Sequence, residues 1–310
     1  MAVTNVTRAA AGVFRQVRKT PRHMRLPAFR AVTPGQPTSI IMPLGVTYHR
    51  IFIRLTIAGV EASEAQARAQ VANIKATIDG DAKIDASADE LLTVFNHWNA
   101  QRNGANFKNG TLTIHLARPW EQEIVAQDGP AWGCAVEGPG AIRTFNLGLT
   151  LAGGATIDAY EAWAEVTEAT PLGRHFCLRR VSGQFLAAGD LILSDWPSLS
   201  PEISWYATHF NKSGGAGNLI SDIGLKIDTN DEVEFGSYAI IQSLFSAYGL
   251  QQQAGWVHLP FARRGRPMEA LPVVFQDARL TLRATAALGS YSLLIETQEG
   301  VDNQPPAQAA

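Results

Sequence analysis

Histidine is the side chain of this sequence best suited to binding a metal or moving a proton near neutral pH. The seven histidines are His23, His49, His97, His115, His175, His209 and His258. None lies two to four residues from another, the spacing that places two metal ligands on one strand or helix. His115 and His258 each alternate with apolar neighbours, so we expect them to be polar residues at a surface or an interface. The histidines therefore predict no metal centre.

The carboxylates come closest to a calcium-binding pattern in one segment. Asp79, Asp81 and Glu90 occupy positions one, three and twelve of a calcium loop. Ile84 stands where that loop requires glycine, and Lys83 replaces a ligand, which excludes an EF-hand. A looser structural calcium site stays open at Asp79 and Asp81, and at a second group formed by Asp228, Asn230 and Asp231. The ordinary role of such acids is to form hairpin turns, and we predict no other cofactor.

Nucleophilic and phosphate-binding motifs are missing from the sequence. No Gly-x-Ser-x-Gly motif occurs, and the glycine-rich segment Ser213–Asn218 lacks the Gly-Lys-Ser/Thr ending of a phosphate loop. The two cysteines, Cys134 and Cys177, are too few for a disulfide framework and lack the paired spacing of a zinc site. The sequence therefore predicts no catalytic residues, and we expect a protein that is not an enzyme.

Positive charge is concentrated at the N-terminus. The first thirty residues contain no acid, whereas the whole chain has a formal net charge of -2. Cations in this segment could bind lipid head groups, nucleic acid phosphates or the acidic surface of a partner subunit, or could belong to a solvated tail. The spacing of Val13, Phe14 and Val17 predicts a short basic amphipathic helix within an arm that covers residues 1–26. The cations of this arm are Arg8, Arg15, Arg18, Lys19, Arg22 and Arg25.

The elements that must position these groups are mostly strands. From Thr47 to Ile57, β-branched and aromatic residues alternate in a way that predicts a strand with one buried face. Segments that start at Ile74 and Ile223 predict hairpins, and each is followed by apolar residues at helical spacing. Residues 61–72 fit either a short helix or a loop. Many short strands with glycine and proline turns predict an all-β protein made of antiparallel sandwiches, with one short helix inserted in each.

The two halves of the chain repeat each other. Ile74–Ile84 aligns without a gap on Ile223–Val233, and the same offset of 149 residues places Leu91, Leu92 and Phe95 on Ile240, Ile241 and Leu244. Further matches follow in the same order with offsets of 143 and then 131, so the first copy has the longer loops. An internal duplication accounts for this order. It predicts one domain at 27–168 and a second at 169–301. The basic arm then covers residues 1–26, and residues 302–310, which have too little apolar content to fold, are expected to be a mobile tail. Two cysteines are too few for a disulfide framework, so we expect reduced cytosolic synthesis. No apolar run of eighteen residues and no apolar core of a signal peptide occurs, so we expect no segment that spans or exits a membrane by itself.

The order of these features resembles a known family. The segments that carry the resemblance are Leu26–Phe29, Val32–Gly35, Met42–Tyr48, Gly255–Phe261 and Arg264–Leu271. They resemble the P2-type major coat proteins of tailless, membrane-containing bacteriophages, from about residue 26 to residue 301. The resemblance implies two tandem eight-stranded antiparallel jelly rolls, that is, a double jelly roll.

The same resemblance implies a function. Three copies would form a pseudo-hexameric capsomer of an icosahedral virion shell, made in the host bacterial cytoplasm. The N-terminal arm would face an internal lipid membrane, vertex or minor capsid proteins would be partners, and no sequence-specific binding of nucleic acid is implied. We further expect the long loop Trp120–Gly133 to mediate contacts between chains or to form an outer tower.

Two alternatives remain at this point. A bicupin-like enzyme would need a His-x-His pair with a Glu and a further His, and no such pair occurs. A tandem β-sandwich carbohydrate-binding or adhesin module would expose tryptophans on one face, with Trp120, Trp132, Trp163 and Trp205 as the candidates. Because Trp163 alternates within a strand, we expect it in a core or an interface.

Overall fold

The structure is a computed structural model that describes most of the chain. The described residues are 21–29, 33–99, 105–121, 127–194, 203–212, 219–228, 231–250, 252–263, 269–273 and 277–300. Three helices are present among them: α1 (Glu64–Gln70), α2 (Ala88–Asn99) and α3 (Tyr238–Ser246). None of these helices is long and apolar enough to cross a membrane.

Strands dominate both halves. Those of the first half are β1 (Arg22–Arg25), β2 (Pro37–Ile41), β3 (Val46–Ile57), β4 (Val60–Glu61), β5 (Val71–Ile78), β6 (Asp81–Ala86), β7 (Phe107–Lys108), β8 (Thr111–His115), β9 (Trp132–Gly133), β10 (Phe145–Leu151) and β11 (Ala159–Glu168). Those of the second half are β12 (His175–Phe185), β13 (Gly189–Leu193), β14 (Ser204–Lys212), β15 (Ile220–Ile227), β16 (Asp231–Glu234), β17 (Trp256–Pro260), β18 (Leu271–Pro272), β19 (Ala278–Ala284) and β20 (Gly289–Glu299).

Each half contains two four-stranded antiparallel sets with the same topology. In the first half the orders are β1-β11-β3-β8 and β2-β10-β5-β6. In the second half they are β12-β20-β14-β17 and β13-β19-β15-β16. Alternate residues of β10 and β19 are buried, so each sheet turns one apolar side to a core. The prediction of two tandem eight-stranded jelly rolls is confirmed, and we call them the first and second jelly roll.

The two jelly rolls share a sheet. Strand β6 of the first pairs in parallel with β12 of the second through Leu178 and Ile84, which joins two four-stranded sets. With β18, which pairs with β14, they form one nine-stranded sheet. Strand β11 ends at Glu168 and β12 begins at His175, so the connection along the chain is short.

Equivalent turns carry equivalent bonds in the two halves. Asp79 and Asp228 each follow the first strand of a hairpin and have the same positive φ of 49°. The Asp79 N–H donates to Thr144 O at 2.9 Å, and Asp79 Oδ1 accepts the Thr144 N–H at 2.8 Å. Asp228 makes the same pair of bonds with Asp277, both at 2.9 Å. This agreement of detail supports an internal duplication.

The inserted helices match with an offset one residue larger than the sequence alignment predicts. The N–H groups of Leu91 and Ile241 bond at 3.0 Å to the carbonyls of Ser87 and Ser237, the residues that precede each helix. Leu91 therefore corresponds to Ile241, not to Ile240, and Phe95 corresponds to Phe245. All four side chains are fully buried. The second copy has one more residue between its hairpin turn and its helix, which a gapless alignment does not detect.

The segment 61–72, which fits either a helix or a loop by sequence, contains helix α1. Ser63 begins it with a capping box, in which Ser63 Oγ accepts the Gln66 N–H and Gln66 Oε1 accepts the Ser63 N–H. Arg68 then bonds to Glu64 within α1 and to Asp89 of α2, both at 2.7 Å. Among its described residues, the first jelly roll thus contains helix α1 in addition to the one inserted helix that the sequence predicts.

The last part of the predicted arm is a strand. Residues Arg22–Arg25 form β1, which pairs with β11 from Arg22 opposite Val166 to Arg25 opposite Trp163. The first jelly roll therefore begins before residue 27, within the predicted arm. The short amphipathic helix predicted from Val13, Phe14 and Val17 lies outside the described residues. Arg8, Arg15, Arg18 and Lys19 lie outside the described residues, as do residues 302–310.

Candidate functional site

A buried polar cluster fills the junction between the two jelly rolls. At its centre are Arg118, from the segment after β8, and Glu296, from β20; both side chains are fully buried and form an ion pair. Arg118 also pairs with Glu121 at 2.6 Å, and Glu121 is fully buried as well. Buried charges are tolerated when they are paired and hydrogen-bonded. Because Arg118 belongs to the first jelly roll and Glu296 to the second, their ion pair joins the two.

Glu296 is the acceptor for groups from both jelly rolls. Its Oε2 accepts the indole N–H of Trp98, which lies in α2, at 2.6 Å. The same oxygen lies 3.2 Å from Nε2 of His209, which lies in β14. A carboxylate only accepts hydrogen bonds, so His209 Nε2 must carry a proton.

Histidines from three elements meet beside this carboxylate. Nδ1 of His209 lies 2.8 Å from Nδ1 of His258 in β17, and His258 stacks on His97 of α2 with ring centroids 4.2 Å apart. Because His209 donates through Nε2, its Nδ1 accepts the proton of His258 Nδ1. Burial, with the nearby His97, holds the pKa values of His209 and His258 well below the usual 6.5, so both rings are neutral.

Aromatic rings enclose the guanidinium of Arg118. Its central carbon lies 3.7 Å from the ring centroid of Tyr206 and 5.3 Å from that of Trp98. Trp98 in turn stacks on Trp120 with centroids 6.2 Å apart. A desolvated cation over an aromatic face is stabilised by the ring quadrupole, by about 2 kcal/mol.

The expected positions of His115 and His258 were only partly right. His258 lies at an interface, but that interface is inside the chain. His115 is buried within the first jelly roll, where it bonds to Asn106 at 2.9 Å and packs edge-on against Phe95. Burial lowers the pKa of His115 to about 3. Neither histidine lies on the surface, because α2 covers the polar side of these strands.

A second polar cluster joins β6 to β12 and β20. Both oxygens of Glu299 are bound by Arg179, at 2.9 and 2.8 Å, and Lys83 lies 3.2 Å from Oε2. Asp81 completes the cluster through Lys83 at 2.8 Å and Arg179 at 3.2 Å. Burial alone would raise the pKa of Glu299, but its bonds to Arg179 and Lys83 hold that pKa below its usual value.

Three possible metal ligands border this second cluster. The ligand atoms of His175, Cys177 and Glu299 all lie within 4.8 Å of one another. Nitrogen and sulfur ligands would suit zinc rather than calcium. However, Arg179 and Lys83 already occupy the carboxylate, and burial raises the pKa of Cys177 well above 9. A further cation would be repelled by the two that are present, so we interpret the group as an ion-pair junction.

The carboxylates considered for calcium are used in other ways. Asp79 accepts the backbone N–H groups of Arg143 and Thr144, both at 2.8 Å, and thereby fixes a turn. Asp81 pairs with two cations, as described above. Asp228 accepts a backbone N–H, and Asn230 lies outside the described residues.

The described part of the loop Trp120–Gly133 packs into the junction. Trp120 is buried beside Phe176 of the second jelly roll. Trp132 is fully buried, and its indole N–H donates to Phe176 O at 2.9 Å. This part of the loop therefore does not form the outer tower that the sequence suggests; residues 122–126 lie outside the described part.

The tryptophans considered for sugar binding are mostly inside the protein. Trp120, Trp132 and Trp205 are buried, whereas Trp163 on β11 is 38% exposed. A sugar-stacking platform built from these four residues would therefore have one ring. This geometry counts against the adhesin alternative.

Comparison with known proteins agrees with the fold. Residues 23–167 match the family model "Viral coat protein P2 N-terminal domain". Curated protein sequences give no match. Among solved structures, the major capsid protein P2 from bacteriophage PM2 superposes with a TM-score of 0.74 at 19% identity, covering 92% of this chain and 99% of that one.

More distant capsid structures are also similar. The STIV MCP gives a TM-score of 0.65 at 12% identity, over 94% of this chain and 100% of that one. The PBCV-1 virus capsid model gives 0.56 at 11% identity, over 94% and 97%. The resemblance found in the sequence is confirmed: residues 23–167 match the P2 viral coat protein N-terminal domain model, and the chain has the double jelly-roll fold of viral capsid proteins.

Proposed function

We propose that this chain is a major capsid protein that assembles through contacts between copies of itself into the shell of an icosahedral virion. The observation that carries the proposal is the pair of topologically equivalent jelly rolls, held together by a shared sheet and by two ion-pair clusters, of which the one around Arg118 is fully buried. Such a chain presents two similar units in a fixed arrangement, so three chains would present six. A pseudo-hexameric ring of this kind closes through repeated heterologous contacts.

The native mass of the purified protein tests this proposal. Light scattering after size exclusion should give about three times the chain mass of 33.5 kDa, and concentrated samples should form shells or sheets in electron micrographs. A protein that stays monomeric at high concentration would contradict the capsomer and favour a binding module.

We also propose that the basic N-terminus faces an inner lipid membrane of the virion. Arg22 is exposed at the start of β1, which is an edge strand of its sheet. The cations Arg8, Arg15, Arg18 and Lys19 precede this strand. Each cation close to an anionic membrane contributes about 1 kcal/mol, so four of them would hold the arm on such a surface.

Vesicle sedimentation tests the membrane proposal. The full chain should sediment with vesicles that contain anionic lipid and much less with neutral vesicles, and added salt should release it. A chain that lacks residues 1–20 is the control and should stay in solution. Equal sedimentation of both chains would contradict a role for the arm.

The remaining partners follow from the capsid role. We propose synthesis in the cytoplasm of a bacterial host and contacts with vertex or minor capsid proteins, without sequence-specific binding of nucleic acid. Structural calcium also stays a proposal, and calorimetric titration of the purified protein with calcium would detect it.

A further inference from the structure

The two inserted helices differ in how they are covered, although they occupy equivalent places. Helix α2 has no exposed residue from Ala88 to Trp98, because the first jelly roll covers one side and the second covers the other. Helix α3 is covered on one side, by its own jelly roll. Its outer side exposes Ile240 by 52% and Leu244 by 47%. Large apolar side chains that share one helix face in this way are typical of an interaction surface.

The contacts on the outer side of α2 show what covers such a helix. Glu90 bonds to Arg180 at 3.2 Å and to Ser292 at 2.7 Å, both from the second jelly roll. One turn further on, the carbonyl of Thr93 accepts from Gln253 at 2.8 Å, and His97 stacks on His258. With the helix offset of 150 residues, the counterparts of Glu90, Thr93 and His97 are Ile240, Ser243 and Ala247, all of which are exposed.

The covering surface also has a counterpart, on the first jelly roll. In the second jelly roll Arg180 of β12 pairs with Leu294 of β20. In the first, Arg25 of β1 pairs with Trp163 of β11 at the equivalent place in the sheet order. Trp163 is the partly exposed tryptophan described above.

Charge on the two uncovered surfaces is complementary. Arg180 reaches Asn73 of β5 and Asp85 of β6, each at 3.2 Å. In the aligned hairpins the counterpart of Asn73 is Asp222 of β15. Arg25, the counterpart of Arg180, has a side chain that is 70% exposed and contacts Glu161 at 3.4 Å. An arginine on one uncovered surface would therefore meet an aspartate on the other.

We propose that the first jelly roll of one copy docks on the second jelly roll of another copy in the manner of the junction inside each chain. Arg25 then lies near Asp222 of the second copy, and Trp163 covers Ile240 and Leu244 of α3. The contact is heterologous, so its repetition closes a ring rather than a two-fold dimer. This inference rests on the proposed capsomer and names the surfaces that form it.

The apolar half of the contact is tested by Leu244→Asp. Each ring would bury the new carboxylate three times without a partner, so we expect at least a 100-fold rise in the protein concentration needed for trimers. Leu186→Asp is the matched control, because Leu186 is 76% exposed in the turn between β12 and β13. Circular dichroism spectra of both variants should match that of the wild type, which shows that the fold is intact.

The polar half is tested by a charge exchange. Arg25→Glu and Asp222→Arg should each weaken the trimer about tenfold, and the double variant should recover most of the loss.

Trimers that persist in Leu244→Asp would overturn the docking on α3. Loss of trimers in the single charge variants without recovery in the double variant would overturn the pairing of Arg25 with Asp222. A monomeric wild type would instead overturn the proposed capsomer itself.

Discussion

Replacing Arg118 by methionine is expected to lower the free energy of unfolding by about 3–5 kcal/mol, because the change leaves two buried carboxylates without their cation. Glu121 and Glu296 are both fully buried, and Arg118 is the arginine that pairs with each of them. Chemical denaturation followed by tryptophan fluorescence should report the loss directly, since Trp98 and Trp120 border the guanidinium.

Two further variants make the Arg118 result specific. Arg54→Met removes an exposed pair with Glu61 at 3.3 Å and should cost about 0–1 kcal/mol. The triple variant Arg118→Met, Glu121→Gln, Glu296→Gln removes the unpaired charges and should recover part of the loss. An Arg118→Met protein within 1 kcal/mol of the wild type would mean that the carboxylates are not held as the structure indicates.

Lowering the pH from 7.5 to 5 is expected to destabilise the protein through its buried neutral histidines. Burial lowers the pKa of His115 to about 3 and that of His175 to about 4, whereas both would be near 6.5 in the unfolded chain. Below pH 6.5 the unfolded state therefore binds protons that the folded state does not. Below pH 6.5 each such histidine costs about 1.4 kcal/mol of stability per pH unit, so these two together cost about 4 kcal/mol at pH 5.

The histidines of the junction act in the same direction. His209 and His258 also have lowered pKa values, and their surroundings are Glu296, Arg118 and the ring of His97. Urea unfolding at pH 7.5, 6 and 5 should show a falling midpoint in the wild type, and a smaller fall in His115→Gln. His23→Gln is the control, because His23 is exposed on β1. A midpoint that does not change with pH would contradict neutral burial of these rings.

The strands and the duplication could be predicted from the sequence because both depend on local patterns. Alternating residues from Thr47 to Ile57 and the repeated hairpins at Ile74 and Ile223 indicate strands whatever their neighbours are. The assignment of Arg22–Arg25 to an arm was wrong because the local pattern of this segment does not show its pairing partner. Its exposed cations resemble a solvated tail, and what makes the segment a strand is pairing with β11, about 140 residues away.

The polar junction could not be predicted, because its members are distant in sequence. His209, His258 and Glu296 meet on one sheet of the second jelly roll, and Arg118 joins them only when the two jelly rolls pack side by side. No spacing rule in the sequence connects these four residues. One signal was available: Glu296 is a charged residue that directly follows the apolar run Leu293–Ile295. A charge in such a strand indicates a buried partner, although it does not identify that partner.

The shared sheet has a mechanical consequence. The pairing of β6 with β12, together with the bonds of Arg179 and Lys83 to Glu299, ties the two jelly rolls together along one sheet. The angle between them is thus set when the chain folds. In a closed shell built from such chains, curvature has to arise where one chain meets the next, so bending would occur along the seams between chains and not within them.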